Sequence, residues 1–195
     1  MTATKAAPAK AVRPRNADAS RAALLRAASE LFSDKGFDRT TTRDIGERAG
    51  IDPALIARYY GNKLSLYLAT LTEDGQGSGV LVDSPDIATY IDRLLDRLER
   101  QGPSPLMQAL VRTDAGAAVH QATRPHIDQR LVHPLTRLLA ERHVAEPQLK
   151  AEAAVAALTG VFIARATGPL EVLHDTERGQ LRRILTAVIE GIAAA

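Results

Sequence analysis

The sequence contains no cysteine in its 195 residues. This absence excludes a disulfide framework and any thiolate metal site, and it fits a protein of the reducing cytoplasm. Long apolar segments are missing as well, because the longest nearly apolar run, residues 153–164, is too short to span a bilayer. The N-terminus also lacks the apolar core of a signal peptide. We therefore expect a cytoplasmic protein without a membrane partner.

Motifs that would indicate catalysis are lacking too. The sequence has neither a glycine-rich phosphate-binding loop nor a G-x-S-x-G nucleophile motif. Of its histidines, only His126 and His133 would share a helix face, and no third metal ligand accompanies them. We expect no catalytic residue, no metal and no cofactor, and an enzyme is the least favoured function.

Helical periodicity dominates what is present. Apolar residues make up 45% of the chain, and they recur at helical spacing with no convincing strand. Residues 1–68 carry twelve Lys and Arg against seven acids, whereas the remainder carries thirteen against sixteen. A basic N-terminal part is typical of a surface that binds phosphates. The pattern predicts an all-α chain with a disordered basic arm (1–16), a DNA-binding domain with a connecting helix (17–73) and a second helical domain (84–195).

Residues 40–63 predict two short helices joined by a tight turn. Thr41 and Asp44 have the spacing of a capping box, and Gly50 followed by Ile51 fits a left-handed helix end. Asp52 and Pro53 can open the second helix at once. Its outer face is small and flat, as a helix in the major groove requires.

Residues 20–67 resemble the DNA-binding domain of the TetR family of transcriptional regulators. The resemblance rests on LLRAASELFSDKGF, TTTRDIGERAGI and PALIARYYGNKLSLY, and it implies a three-helix helix-turn-helix domain that binds double-stranded DNA. Two positions differ, because Ala57 stands where the family commonly has tyrosine and Leu64 where it has glutamate. The residues that the resemblance places at DNA are Thr41, Thr42, Arg43, Pro53, Ala54, Ala57, Arg58, Tyr59 and Lys63.

After a flexible connection at 74–85, periodicity predicts five helices. They are expected near 84–101, 104–115, 122–143, 146–166 and 175–193, the third of them kinked at Pro134. In the family, the last two helices pair with those of a second subunit, which implies a homodimer. The candidate interface residues are Leu158, Phe162, Leu181, Ile184, Leu185, Val188 and Ile189. The alternative is that this stripe packs inside the subunit.

The second domain has more apolar helix faces than one bundle seam uses, which predicts an effector cavity within residues 85–173. The candidate effector-binding residues are Leu98, Leu110, Leu131, Phe162 and Arg165. Arg165 lies on an apolar stripe and therefore needs a partner, for which Asp114 is one candidate. An internal ion pair and an anionic effector remain alternatives for this arginine.

The leading hypothesis is a dimeric repressor that a small-molecule effector releases from a palindromic operator. The alternative is a helix-turn-helix DNA-binding protein without a small-molecule ligand, regulated by its abundance or by a protein partner.

Overall fold

A computed structural model describes residues 14–73, 81, 83–102, 105–111 and 116–195 of the chain. Within these ranges every regular element is helical, as predicted. The predicted disordered arm lies outside the described residues as far as residue 13. Its last three residues are helical, because the first helix begins at Pro14 and not near Asp18. The glycine- and serine-rich connection lies mostly outside the described residues as well.

Four helices form the N-terminal domain. They are α1 (Pro14–Lys35), α2 (Thr42–Ala49), α3 (Ala54–Tyr60) and α4 (Lys63–Glu73). Helix α1 packs against α2 and α4, and α3 packs against α4. Their apolar faces meet in one core, in which Leu24, Ile45, Ile56 and Leu66 are at most 1% exposed. We call α1–α3 the reader and α4 the connecting helix.

The C-terminal domain follows as a bundle of helices. Its elements are α5 (Ile87–Gln101), α6 (Pro105–Val111), α7 (Ala117–Ile127), a π-helical turn (Asp128–Val132), α8 (His133–Glu141), α9 (Pro147–Thr167), α10 (Glu171–Asp175) and α11 (Arg178–Ala194). Helix α9 packs on α8 and α11, and α11 packs on α5. Helices α1 and α4 contact α6, and α4 also contacts α7, so these elements join the two domains.

The irregularity expected at Pro134 takes the form of the π turn directly before it. Proline has no amide proton for the helical ladder, so the preceding turn widens and the N–H of His133 bonds to the carbonyl of Asp128. The helix before this turn starts at Ala117, which is earlier than predicted. Helix α5 is capped by Asp86 rather than opened by Ser84, since the Asp86 carboxylate accepts the N–H of Thr89 at 2.6 Å.

The predicted dimer stripe is largely a core stripe. Among the candidate interface residues, those that are at most 2% exposed are Leu158, Phe162, Leu181, Leu185 and Ile189. These side chains are covered by their own chain in the structure, and their place at a subunit interface stays a prediction. Ile184 remains 41% exposed and Val188 is half-buried. Arg178 and Arg182 of α11 also form ion pairs with acidic residues of α5, at 2.6–2.7 Å. These ion pairs hold α11 against α5 of the same chain.

Candidate nucleic-acid interface

The start of α2 is fixed by a capping box. The Thr41 hydroxyl accepts the N–H of Asp44 at 3.1 Å, and the Asp44 carboxylate accepts the N–H of Thr41 at 2.9 Å. Hydrogen bonding from the Thr41 backbone N–H to the carboxylate, and then from the Thr41 hydroxyl, holds the pKa of Asp44 below its usual value. The box that the sequence predicted is therefore confirmed, and it sets the first turn of α2, where Thr42 and Arg43 lie.

The turn between α2 and α3 depends on two glycines. Gly50 has φ 66°, and the N–H groups of Gly50 and Ile51 close the helix on the carbonyls of Glu47 and Gly46 at 3.2 and 2.9 Å. Gly46 is buried where α3 begins. A Cβ added to it would lie 2.5 Å from Cγ of Pro53 and 2.8 Å from the carbonyl oxygen of Ile51. Only a residue without a side chain fits there, so Gly46 sets how closely α3 approaches α2.

Helix α3 is held from both of its ends. At its start the Asp52 carboxylate accepts the N–H of Ala54 at 2.8 Å. At its end the Tyr60 hydroxyl donates to the carbonyl of Arg21 on α1 at 2.8 Å, and the Arg21 guanidinium lies 5.2 Å from the Tyr60 ring centroid. Ile56 anchors the middle at 1% exposure. The outer face of α3 is therefore presented on a rigid support.

The connecting helix begins beside an aromatic cluster. The Asn62 side chain caps α4 by accepting the N–H of Ser65 at 2.8 Å. The Lys63 ammonium lies 4.1 Å from the centroid of Phe37, whose ring contacts both Phe32 and Tyr67. Partial burial lowers the pKa of Lys63. This lysine is thus held on an aromatic face rather than extended freely into solvent.

The predicted DNA-contact residues divide into two groups by exposure. Those that are exposed are Thr41, Arg43, Ala54, Ala57 and Arg58, and those that are half-buried are Thr42, Pro53, Tyr59 and Lys63. The Arg43 side chain is 83% exposed and is paired only locally, with Glu47 at 2.9 Å. Such an exposed i,i+4 pair contributes little to stability, so the guanidinium can exchange it for a nucleic-acid acceptor.

Two supporting contacts of this region were not predicted. Arg48 of α2 forms an ion pair with Glu30 of α1 at 2.7 Å, and Gly46 packs against Pro53. A glycine inside a predicted helix is unfavourable relative to alanine, and this was the one sequence signal that Gly46 could have a packing role. The ion pair joins residues 18 apart, and no periodicity indicates such a pairing.

The candidate effector residues do not come together in one site. Leu110 lines a cleft of about 650 Å³ between α6, α7, the π turn and α9. Leu98 and Arg165 line a different cleft of about 350 Å³, beside α10 and α11. Leu131 and Phe162 are core residues at 5% and 0% exposure. We call the larger of these the α7 cleft, and its lining residues are Ala109, Leu110, His120, Thr123, Arg124, Pro125, Ile127, Asp128, Val132, Gln148, Glu152, Val155 and Ala156.

Arg165 has its partners in the protein backbone. Its Nη1 donates to the carbonyls of Leu173 and Thr176 at 2.8 and 2.7 Å, which closes the end of the short helix α10. The Nδ1 atom of His174 lies 2.8 Å from the carbonyl oxygen of Arg165. These contacts give the arginine a structural role. Asp114, the other candidate partner, lies outside the described residues.

Within the described residues, no three His, Asp or Glu side chains form a group that could hold a metal ion. No helix in that part of the chain is long and apolar enough to cross a membrane.

Comparison with known proteins identifies the family. Residues 24–70 match the model of the bacterial regulatory proteins of the tetR family, and residues 88–192 match a tetracycline repressor-like C-terminal domain. The HTH-type transcriptional repressor Rv3405c of Mycobacterium tuberculosis is 32% identical over 151 residues, which cover 71% of this chain and 80% of that protein.

Solved structures share the fold. A TetR-like transcriptional regulator from Rhodococcus sp. RHA1 is 22% identical, with a TM-score of 0.66 over 90% of this chain and 97% of the other. The TetR-family regulator SCO4454 from Streptomyces coelicolor is 20% identical, with a TM-score of 0.67 over 91% and 95%. With this fold and these matches, the chain belongs to the TetR family and is a DNA-binding helix-turn-helix transcriptional regulator, not an enzyme.

Proposed function

We propose that this regulator is a homodimeric repressor that binds a palindromic operator and is released from it by a small molecule in the α7 cleft. The α7 cleft is the observation that supports a response to a ligand. It lies in the domain that contacts the connecting helix α4, which follows the reader. A relative is described as a repressor, which supports the same direction of control.

The proposed DNA contacts follow from the exposure of the reader. Arg43 stands in the first turn of α2 with its guanidinium in solvent, so it can reach base edges with a bidentate fork. Ala54 and Ala57 are exposed and small, which lets α3 lie deep in the major groove. Arg58 and Lys63 supply cations for phosphates, and Lys63 is oriented by its contact with Phe37. Arg43 is thus assigned to base recognition, and Arg58 and Lys63 to the DNA backbone.

The proposed dimer uses the outer faces of α9 and α11. Both faces expose small residues, among them Ala153 and Gly160 on α9 and Ala187 and Gly191 on α11. A Cβ added at either glycine would meet no atom within 4 Å, so a second helix can approach closely there. Ile184 is the large apolar side chain on this surface, at 41% exposure. Two copies related by a two-fold axis would bury Ile184 and place two readers on two half-sites.

Ile184→Glu tests this interface. A charge at the centre of the contact would be buried without a partner, so the variant should sediment as a monomer at concentrations where the parent chain is a dimer. Arg183→Gln, at an exposed neighbour on the same helix, changes the net charge by the same one unit and controls for it. Because Ile184 does not belong to the core, the melting temperature of the monomeric variant should change little in dilute solution. A dimer of unchanged mass would place the interface elsewhere.

The proposed ligand is amphipathic and of moderate size. The α7 cleft has an apolar part formed by Leu110, Ile127 and Val155, and a polar rim that includes Arg124 and Glu152. A volume of about 650 Å³ lies within the range of about 300–1,000 Å³ that is usual for small-molecule sites. An apolar body with a hydrogen-bonding end matches this distribution of side chains.

Operator release is the experiment that tests the ligand response. A duplex selected from random DNA is labelled, and its fluorescence anisotropy with the protein is followed during addition of a library of amphipathic compounds. A compound that binds the cleft should lower operator affinity and raise the melting temperature. Leu110→Trp, which fills the cleft, should abolish both effects. If no compound changes either the operator affinity or the melting temperature, the result favours a regulator without a small-molecule ligand.

A further inference from the structure

The π turn Asp128–Val132 lies between the α7 cleft and the connecting helix. Asp128 and Val132 line the cleft. From the same turn, Nη1 of Arg130 donates to the carbonyls of Leu71 and Thr72 in the last turn of α4, at 2.7 and 3.2 Å. One five-residue element thus touches the space available to a ligand and also holds an element of the DNA-binding domain.

The contact made by Arg130 is well suited to fixing the end of α4. The final carbonyls of a helix have no partner within the helix, and they carry its negative dipole end. A half-buried guanidinium satisfies them with charge-assisted hydrogen bonds. Holding Leu71 and Thr72 therefore fixes the position of the last turn of α4 relative to the C-terminal domain.

The opposite end of α4 lies at the reader. Lys63 is its first residue, and its ammonium lies over the ring of Phe37, the residue that follows α1 and its closing glycine. Eight residues at about 1.5 Å each put the Arg130 contact about 12 Å along the helix axis from Lys63. A displacement of the last turn of α4 is therefore carried to the reader by a single continuous helix.

The π turn has a geometry that can change. Its backbone hydrogen bond spans five residues instead of four, so one extra residue is inserted in the turn, a form that occurs mostly as single turns and often at functional sites. The buried hydroxyl of Tyr90 donates to the carbonyl of Leu131 at 3.0 Å and supports the wide turn. Burial raises the pKa of Tyr90, so this phenol stays a protonated donor. If the π turn changed to α-helical geometry, the register of the helix would shift by one residue. This shift would rotate the side chains that follow the turn by about 100° around the helix axis.

We propose that Arg130 is a positioning residue, which holds the reader through the end of α4, and that a molecule in the α7 cleft moves this contact through the π turn. The inference rests on the proposed ligand response. A ligand shifts such an equilibrium only if it binds the two forms differently. An occupant in contact with Asp128 and Val132 meets this condition, because both residues belong to the turn that changes.

The test measures the distance between the reader and the C-terminal domain within one chain. Since the sequence has no cysteine, Asp34→Cys on α1 and Arg100→Cys on α5 provide two unique sites for spin labels. Both positions are exposed. Labelled chains are diluted with unlabelled chains so that only the intrachain distance is recorded, whatever the oligomeric state. Sedimentation of the same samples tests the dimer separately.

Arg130→Ala should broaden the distribution of this distance, and Arg130→Lys, which keeps a donor, should restore part of its sharpness. Affinity for the selected operator should fall about 5- to 150-fold in Arg130→Ala, the usual range of coupling between two sites. Arg137→Ala is the matched control, because Arg137 also donates to a backbone carbonyl, that of Ser84 at 2.7 Å, but not to α4. A distance distribution that is the same in Arg130→Ala as in the parent chain, or equally broad in the control, overturns the proposal.

A second arm fills the cleft without requiring a known ligand. Leu110→Trp introduces the only tryptophan of the chain, whose fluorescence shows whether the ring is enclosed. With the ring enclosed, the reader distance should shift when Arg130 is present and should not shift in Arg130→Ala. The same shift in both backgrounds, or a shift in neither, overturns coupling through the π turn. Compounds that release the operator while the distances stay unchanged would leave the proposed function intact and refute only this route.

Discussion

Gly46→Ala is expected to damage the reader through a single added methyl group. The new Cβ would lie 2.5 Å from Cγ and 2.8 Å from Cδ of Pro53, and 2.8 Å from the carbonyl oxygen of Ile51. Neither neighbour can move aside at low energetic cost, because Pro53 is a rigid ring and the Ile51 carbonyl belongs to the backbone. Relief of the clash requires α3 to shift away from α2, which alters the surface that meets DNA.

The magnitude follows from two opposing effects. Overpacking of a buried site costs about 1–3 kcal/mol, and this site lies at the upper end because its neighbours are rigid. Alanine favours the helix over glycine by about 1 kcal/mol. The net loss should therefore be about 1–2 kcal/mol in the free energy of unfolding. For a chain of this size that corresponds to a melting temperature lower by about 2–8 °C.

Gly179→Ala is the matched control, because a Cβ at that helical glycine would meet nothing within 4 Å. Urea denaturation should show it to be as stable as the parent chain or slightly more stable. Operator affinity, measured where all three proteins are folded, should fall for Gly46→Ala alone. If Gly46→Ala were as stable as the control and bound the operator equally well, the close packing of α2 on α3 would not determine the geometry of the reader.

Two further predictions concern charge. Arg43→Ala should weaken operator binding much more than binding to random DNA, whereas Lys63→Ala should weaken both alike and lower the slope of log affinity against log salt concentration by about two in a dimer. Affinities for both DNAs across a salt series measure these effects. Equal losses for Arg43→Ala on both DNAs would contradict base recognition by that residue. His126 has a pKa below its usual value, first because of burial and then because of the nearby charge of Arg130. As the pH falls through about 6.5, the unfolded chain therefore binds the proton first and stability declines. His126→Gln should flatten this decline in urea midpoints between pH 7 and about pH 5.5, and an unchanged slope would show that another group is responsible.

The local signals of the reader could be predicted from sequence because they are short-range. The Thr41–Asp44 capping box and the left-handed Gly50 depend on residues at most three or four positions apart. The helix stripes were also visible, since periodicity follows from burial of one face.

Periodicity does not say what a buried face packs against. Leu185 and Ile189 form the regular stripe expected of an interface, yet α5 and α9 of the same chain cover it. The partners of Arg165 could not be predicted because they are backbone carbonyls within and directly after a short helix whose existence no pattern indicated. The π turn likewise arises where a helical ladder meets Pro134, and a sequence pattern indicates only that some distortion is needed there.

Selection of preferred sites from random duplexes by the purified chain tests whether this regulator binds a two-fold symmetric operator through α2 and α3. We expect a palindrome with two half-sites, bound by two chains, and a loss of preference at one base pair in each half-site for Arg43→Ala. Recovery of no preferred sequence, or of a site without two-fold symmetry, would contradict a dimer that reads DNA through α2 and α3.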